Sequence, residues 1–238
     1  ALVKPAPENV NDSLKLSQSF DETVERRVAF LTAYQNKRYA ARYRRRVEKI
    51  RAAESEKAPG KCGLAEAVAR YLFKLMAYKD EYEVARLYTD SSFLDRVKSS
   101  FDGDLHFEFH LAPPLLAKRD PRTGELKKKS YGPSMLRVFR VLAKFKWLRS
   151  TPLDVFGYSA ERRTERKLIT AYEALLDEIS ENLNLANHHL AVGLAAIPER
   201  IRGYGHVKQR HIVVAKADEA ALLEQFRTGV TPFLKAAE

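Results

Sequence analysis

The sequence predicts a mainly α-helical fold with a small antiparallel β-sheet, an α+β arrangement, on three observations. Apolar residues recur at helical spacing over most of the 238 residues. One short run, 105–111, alternates instead with a period of two. Ser, Asp, Pro and Gly fall where those helices should begin and end. The expected organisation is a linker or tail over 1–18, one bundle-like helical domain over 19–228, and a C-terminal tail over 229–238. A central strand and hairpin are expected within the domain, around 104–130.

Residues 1–18 are polar and aperiodic, with Pro5 and Pro7. Ser19 with Glu22 forms a capping box, in which each side chain satisfies an orphan amide of the first turn. The helix it opens is expected to run to about residue 56. Along it Tyr39, Tyr43, Val47 and Ile50 share one stripe, and Arg38, Arg42, Arg45 and Lys49 share the opposite one. Ala58, Pro59 and Gly60 stop it. Leu64, Val68, Tyr71, Leu72 and Leu75 mark the next helix. Asp80 with Glu83 caps a short helix through Tyr88, and Ser92 with Asp95 caps another that packs through Phe93, Val97 and Phe101.

Asp102 and Gly103 then turn the chain into the strand. Leu105, Phe107, Phe109 and Leu111 line one face, and His106, Glu108 and His110 the other, before Pro113 and Pro114 end the ladder. Segments 115–118 and 126–130 flank Asp120-Pro121-Arg122-Thr123-Gly124, which suits a hairpin turn. A lone hairpin is marginal in water, so the sheet must lie on helices. Pro133 opens a helix with Met135, Val138, Phe139, Leu142 and Phe145 as its core stripe and Arg137, Arg140 and Lys144 outside. Ser159 caps a long helix carrying Leu168, Tyr172, Leu175, Leu176, Ile179 and Leu183, interrupted at Asn182 and Asn184. Leu190, Leu194, Ile197 and Ile201 continue the pattern, with Pro198 kinking or restarting it. Gly203-Tyr204-Gly205 breaks the chain before a final helix over about 206–227.

With 45% hydrophobic and 31% charged side chains, the chain can bury a core and is not wholesale disordered. It contains no apolar run of about 18 residues, so nothing is expected to span a membrane. The opening ALVKPAPENVND lacks the pattern of a signal peptide. Cys62 is the single cysteine, which excludes a disulfide within the chain and suits a reducing, cytoplasmic setting. The net charge is +11, unevenly spread: 37–57 is locally +6 and 118–149 locally +9, leaving the remainder acidic. Two patches on a nearly neutral body suit docking to an acidic partner or to phosphates.

Complete catalytic apparatus is missing from the pattern, and no catalytic, cofactor-binding or metal-binding residue is assigned. His106 and His110 would stand roughly 13 Å apart on a strand, too far to chelate one ion without a bulge. His188 and His189 suit surface or capping roles. Asp102-Gly103-Asp104 lacks the glycine and the downstream asparagine of a thiamine diphosphate–magnesium site. One cysteine cannot ligate an iron–sulfur cluster. Candidate docking or anion-binding residues are Arg38, Arg42, Arg45, Lys127, Lys128, Lys129, Gly205 and His206. The last two open a helix whose free amides suit an anion, although a helix stop followed by a helix start is the preferred account of them. Tyr39 and Tyr43 lie off the arginine face, so no stacking platform for nucleic acid is implied.

The segments ERRVAFLTAYQNKRYAARY (25–43), LAEAVARYLFKLMAYKDEYEVARLYTD (64–90), FHLAPPLLAKRDPRTG (109–124), FGYSAERRTER (156–166) and IRGYGHVK (201–208) carry a resemblance over roughly residues 20–228. They resemble the C-terminal region of the long, fused bacterial indolepyruvate:ferredoxin oxidoreductases, members of the 2-oxoacid:ferredoxin oxidoreductases. The resemblance implies an accessory domain of an enzyme that oxidatively decarboxylates 2-oxo acids to acyl-CoA with ferredoxin as electron acceptor. Thiamine diphosphate, magnesium and iron–sulfur clusters would belong to the other domains, and none to this chain. Implied partners are those catalytic domains, with ferredoxin or coenzyme A, in a homo-oligomeric full enzyme without membrane or nucleic acid. A free-standing basic binder of RNA or another polyanion is the alternative class.

Overall fold

The computed structural model describes residues 16–17, 19–90, 95, 97, 99–101, 106–111 and 129–229. Eight α-helices and one two-stranded antiparallel sheet lie among them, so the fold is mainly α with a small β element. The helical domain expected over 19–228 takes the form of two compact units. The larger comprises Gln18–Tyr78 and Thr164–Glu238, and the smaller contains Lys79–Arg163.

The larger unit starts with α1 (Phe20–Tyr34), whose cap is Ser19: its hydroxyl accepts from the Glu22 amide at 3.1 Å. The long first helix expected to reach residue 56 is in fact two. Asn36 breaks it in extended backbone, and its side chain accepts from the Tyr39 amide at 2.9 Å to start α2 (Lys37–Lys57). Helix α3 (Leu64–Met76) buries Leu64, Ala65, Val68, Ala69, Tyr71, Leu72, Leu75 and Met76, more than one stripe, because α1, α2 and α7 (His188–Ala196) pack around it. From Thr164 onward α6 (Ala160–Asn182) belongs to this unit and adds Leu168, Ile169, Tyr172, Leu175, Leu176 and Ile179 to the core. A 3-10 turn at Ile197–Arg200, started by Pro198, leads to α8 (Gly205–Thr228).

Tyrosine hydroxyls tie this core together. Tyr34 donates to the Tyr78 carbonyl at 2.8 Å, and Tyr39 donates to that of Met76 at 2.9 Å, where α3 ends and helical partners are lacking. Tyr43 reaches the Ala69 carbonyl and Tyr172 that of Ala195. Each ring adds apolar burial while its polar end is satisfied, so the phenol costs little to bury.

In the smaller unit Asp80 caps α4 (Glu81–Thr89), accepting from the Glu83 amide at 2.8 Å. Strands β1 (Phe109–Leu111) and β2 (Lys129–Tyr131) pair antiparallel, with His110 opposite Ser130. The strand expected over 105–111 is thus only three residues long, with 106–108 irregular. Its partner is 129–131; segments 115–118 and 126–128, Asp102 to Asp104, and the 120–124 turn lie outside the described residues. Helix α5 (Met135–Lys144) follows Pro133, which sits in the turn before the helix rather than in its first turn. Tyr88, Phe109 and Phe139 meet at centroid distances of 5.2–5.4 Å and form the small core with Ala85. Of the stripe expected to face that core, Val138 and Phe145 are exposed. Three short elements offer too little surface to cover every apolar position.

Candidate functional site

Helix α2 carries the first basic patch, and its cations divide by direction. Arg42 makes a bidentate pair with the buried Glu173 of α6, at 2.7 and 2.5 Å. Arg44 forks onto Glu25 of α1, and Arg46 and Lys49 share Asp177 at 2.6 Å each. Arg51 meets Asp21 at 2.6 Å and lies over the Phe20 ring. Lys57 donates to the carbonyls of Ser180 and Glu181, at the end of α6 where the helix dipole is negative. These cations hold the unit together. The bond from Lys49, then that from Arg46, keeps the Asp177 carboxyl below its usual range, and the Glu173 bond raises Arg42.

Arg38 and Arg45 are exposed and form no ion pair among the described residues. Seven residues apart, they stand about 10.5 Å from one another along one outward line. Of the three arginines expected on an outward docking surface, Arg38 and Arg45 are exposed, and Arg42 is turned inward. Lys129 is exposed on β2, while Lys127 and Lys128 lie outside the described residues. Gly205 opens α8 at φ 55°, with no side-chain cap from Tyr204, and His206 beside it is exposed.

One buried ionisable site went unread in the sequence. Gly63 precedes α3 with φ 110°, a left-handed conformation that suits glycine, and it has no side chain with which to cap the helix. Glu54 of α2 supplies the cap instead. Its carboxylate accepts from the amides of Leu64 and Ala65 at 2.9 Å and lies 2.7 Å from the Nε2 of His188. Glu66 closes the turn by accepting from the Gly63 amide. His188, expected in a surface or capping role, is buried at the start of its helix and meets this capping carboxylate. With two backbone amides and His188 on its two oxygens, Glu54 acts as a tertiary helix cap.

The smaller unit has its own buried ionic knot. Asp80 accepts from the Arg149 guanidinium at 2.5 and 2.7 Å, and both side chains are almost wholly enclosed. The guanidinium lies over the Tyr82 ring. Asp154 accepts from the Ser150 and Gly157 amides at 3.0 Å and holds Ser150 at a positive φ of 63°. Burial, then the Asp154 charge, pushes the Tyr82 phenol upward.

Cys62 is exposed and alone, and among the described residues no three His, Cys, Asp or Glu side chains gather as metal ligands. His106 and Glu108 are exposed, and His110 meets the Ser130 hydroxyl at 3.0 Å. No helix among the described residues is long and apolar enough to cross a membrane. Among the described residues, the fold is mainly helical, with many charged side chains paired internally and others, Arg38 and Arg45 among them, exposed without an ion pair. The chain belongs to the family of unknown function DUF6537, whose model matches residues 20–233. No curated protein and no solved structure matches it.

Proposed function

We propose that this chain is an accessory docking domain of a cytoplasmic enzyme similar to indolepyruvate:ferredoxin oxidoreductase. That enzyme decarboxylates 2-oxo acids oxidatively to acyl-CoA, using thiamine diphosphate, magnesium and iron–sulfur clusters in its other domains. This chain contributes attachment, to the catalytic domains, ferredoxin or coenzyme A, within a homo-oligomer. The observation that carries the reading is the bare outward line of Arg38 and Arg45 on a helix whose other arginines are all engaged within the unit. Cations left unpaired in this way suit recognition of an acidic surface, where they contribute to rate of encounter and register.

The test is sedimentation velocity of the chain mixed with the separately produced catalytic domains. Arg38→Glu with Arg45→Glu should weaken association about tenfold or more while the far-ultraviolet dichroism stays unchanged. Undiminished association would sink the reading. Replacing Lys127, Lys128 and Lys129 by alanine in the full enzyme should raise the KM for ferredoxin or coenzyme A. The net charge of +11 favours one second reading, binding of RNA or another polyanion. Affinity for single-stranded RNA that falls steeply with salt would select it.

A further inference from the structure

Helix α5 presents three parallel lines. Met135, Phe139 and Leu142 face the small aromatic core. Val138, Val141 and Phe145 follow one another at spacings of three and four, and are 52%, 58% and 43% exposed; Trp147, just beyond, is 54% exposed. Beside them Arg137, Arg140 and Lys144 repeat the same spacing one residue earlier, exposed and without an ion pair among the described residues. Residues 126–153 contain eight Lys or Arg and not one Asp or Glu. An apolar line and a cationic line thus run side by side, with no acidic side chain paired to the latter among the described residues.

That pairing restricts what can cover the face. A second copy, docked through the same surface, would set like charges against each other. The chain's own segment 112–128 carries five bases against two acids, so it repels this face as well. A lipid surface suits a broad apolar face, whereas Val138, Val141 and Phe145 span only about 60° of arc at 100° per residue. A line of that width with i, i+3, i+7 spacing is a ridge that fits the groove of another helix. We propose that the outward face of α5 docks an amphipathic helix of a partner protein, one whose apolar stripe is flanked by Asp or Glu that meet Arg137, Arg140 and Lys144.

Trp147 is the only tryptophan, so its emission reads this surface alone. The probes are a synthetic amphipathic peptide of about 18 residues with a leucine stripe flanked by Glu, its Lys-flanked counterpart, and mixed phosphatidylcholine–phosphatidylserine vesicles. Added to the full chain, the Glu peptide should shift Trp147 emission to the blue, saturably, and shield it from acrylamide. Val141→Asp should weaken that binding about tenfold or more with unchanged dichroism. Arg137→Glu, Arg140→Glu and Lys144→Glu together should reverse the preference, so that the Lys peptide binds and the Glu peptide does not. No shift with the Glu peptide, or equal binding of both peptides, overturns the proposal. A shift with vesicles but not with peptide assigns the face to lipid, and a shift on concentrating the chain alone assigns it to self-association; both overturn it too. The residues differ from those of the α2 docking test, so each result stands by itself.

Discussion

In the larger unit, cations of α2 lie against carboxylates of α1 and α6, and the apolar residues of its helices are mostly enclosed. In the smaller unit the order is inverted: the closest ion pair among the described residues, Asp80 with Arg149, is sealed inside, while apolar and cationic side chains of α5 lie open. Among the described residues, the larger unit has six α-helices and a continuous core; the smaller rests on Tyr82, Ala85, Phe109 and Phe139 with their half-buried neighbours. A small core cannot hold its elements by burial alone, so directional ionic contacts take over that part. The contrast teaches where outside partners can act. Surfaces whose charges are already matched offer little, and Arg38 with Arg45 and the α5 face are among those left unmatched.

The largest expected effect is at the tertiary cap. Glu54→Ala strands two helix amides and His188, and should cost about 4 kcal/mol of the larger unit's stability, read as a lowered urea midpoint in far-ultraviolet dichroism. Arg149→Met should cost about 3 kcal/mol, because it leaves the Asp80 carboxylate buried without its guanidinium. It should loosen the smaller unit selectively, so Trp147 emission changes at lower urea than the dichroism does. Coincident transitions would show that the two units do not differ as described. Tyr172→Phe removes one buried donor from the Ala195 carbonyl, and about 1 kcal/mol should be lost in the same titration.

Acid should act on the larger unit. Asp177 and Glu178 have carboxyls lowered in the folded state, first by bonds from Lys49 and Arg227 respectively. A lowered carboxyl adds stability above its unfolded value, so this contribution is lost as pH falls below about 4. Thermal midpoints between pH 6 and pH 3 follow it. Tyr43, Tyr172 and Tyr82 have the opposite sign: burial raises their phenols, so their contribution is present below about pH 10 and lost above it. The smallest effect is Val138→Ser, expected within about 0.5 kcal/mol, because that side chain already meets water. A larger loss would show that the α5 face is part of the core after all.

Much of the helical frame was legible in the residues. Ser19, Asp80 and Ser159 cap where their local patterns indicate, and Leu168, Tyr172, Leu175, Leu176 and Ile179 form a buried stripe. Asn36 was missed because strong helix formers surround it and Tyr39, three residues on, completes no capping box. The Glu54–His188 contact joins residues far apart in sequence, and no periodicity records such a meeting; Gly63 followed by Glu66 was the one local sign. The inward turn of Arg42 depends on where Glu173 falls across the bundle, which a helical wheel of α2 alone does not contain. Exposure of Val138 and Phe145 likewise follows from the size of what they pack on, not from their own spacing.

The division of the larger unit into two stretches of chain bears on its synthesis. Gln18–Tyr78 leaves the ribosome first, but α6, α7 and α8, against which it packs, follow only after all of Lys79–Arg163 has emerged. At about 5–20 residues per second that interval lasts some seconds. During it Arg42, Arg46 and Glu54 lack their partners Glu173, Asp177 and His188, while Lys79–Arg163 is already out. Vectorial translation thus favours the inserted piece folding first, while the helices of Gln18–Tyr78 wait for the second half of their core.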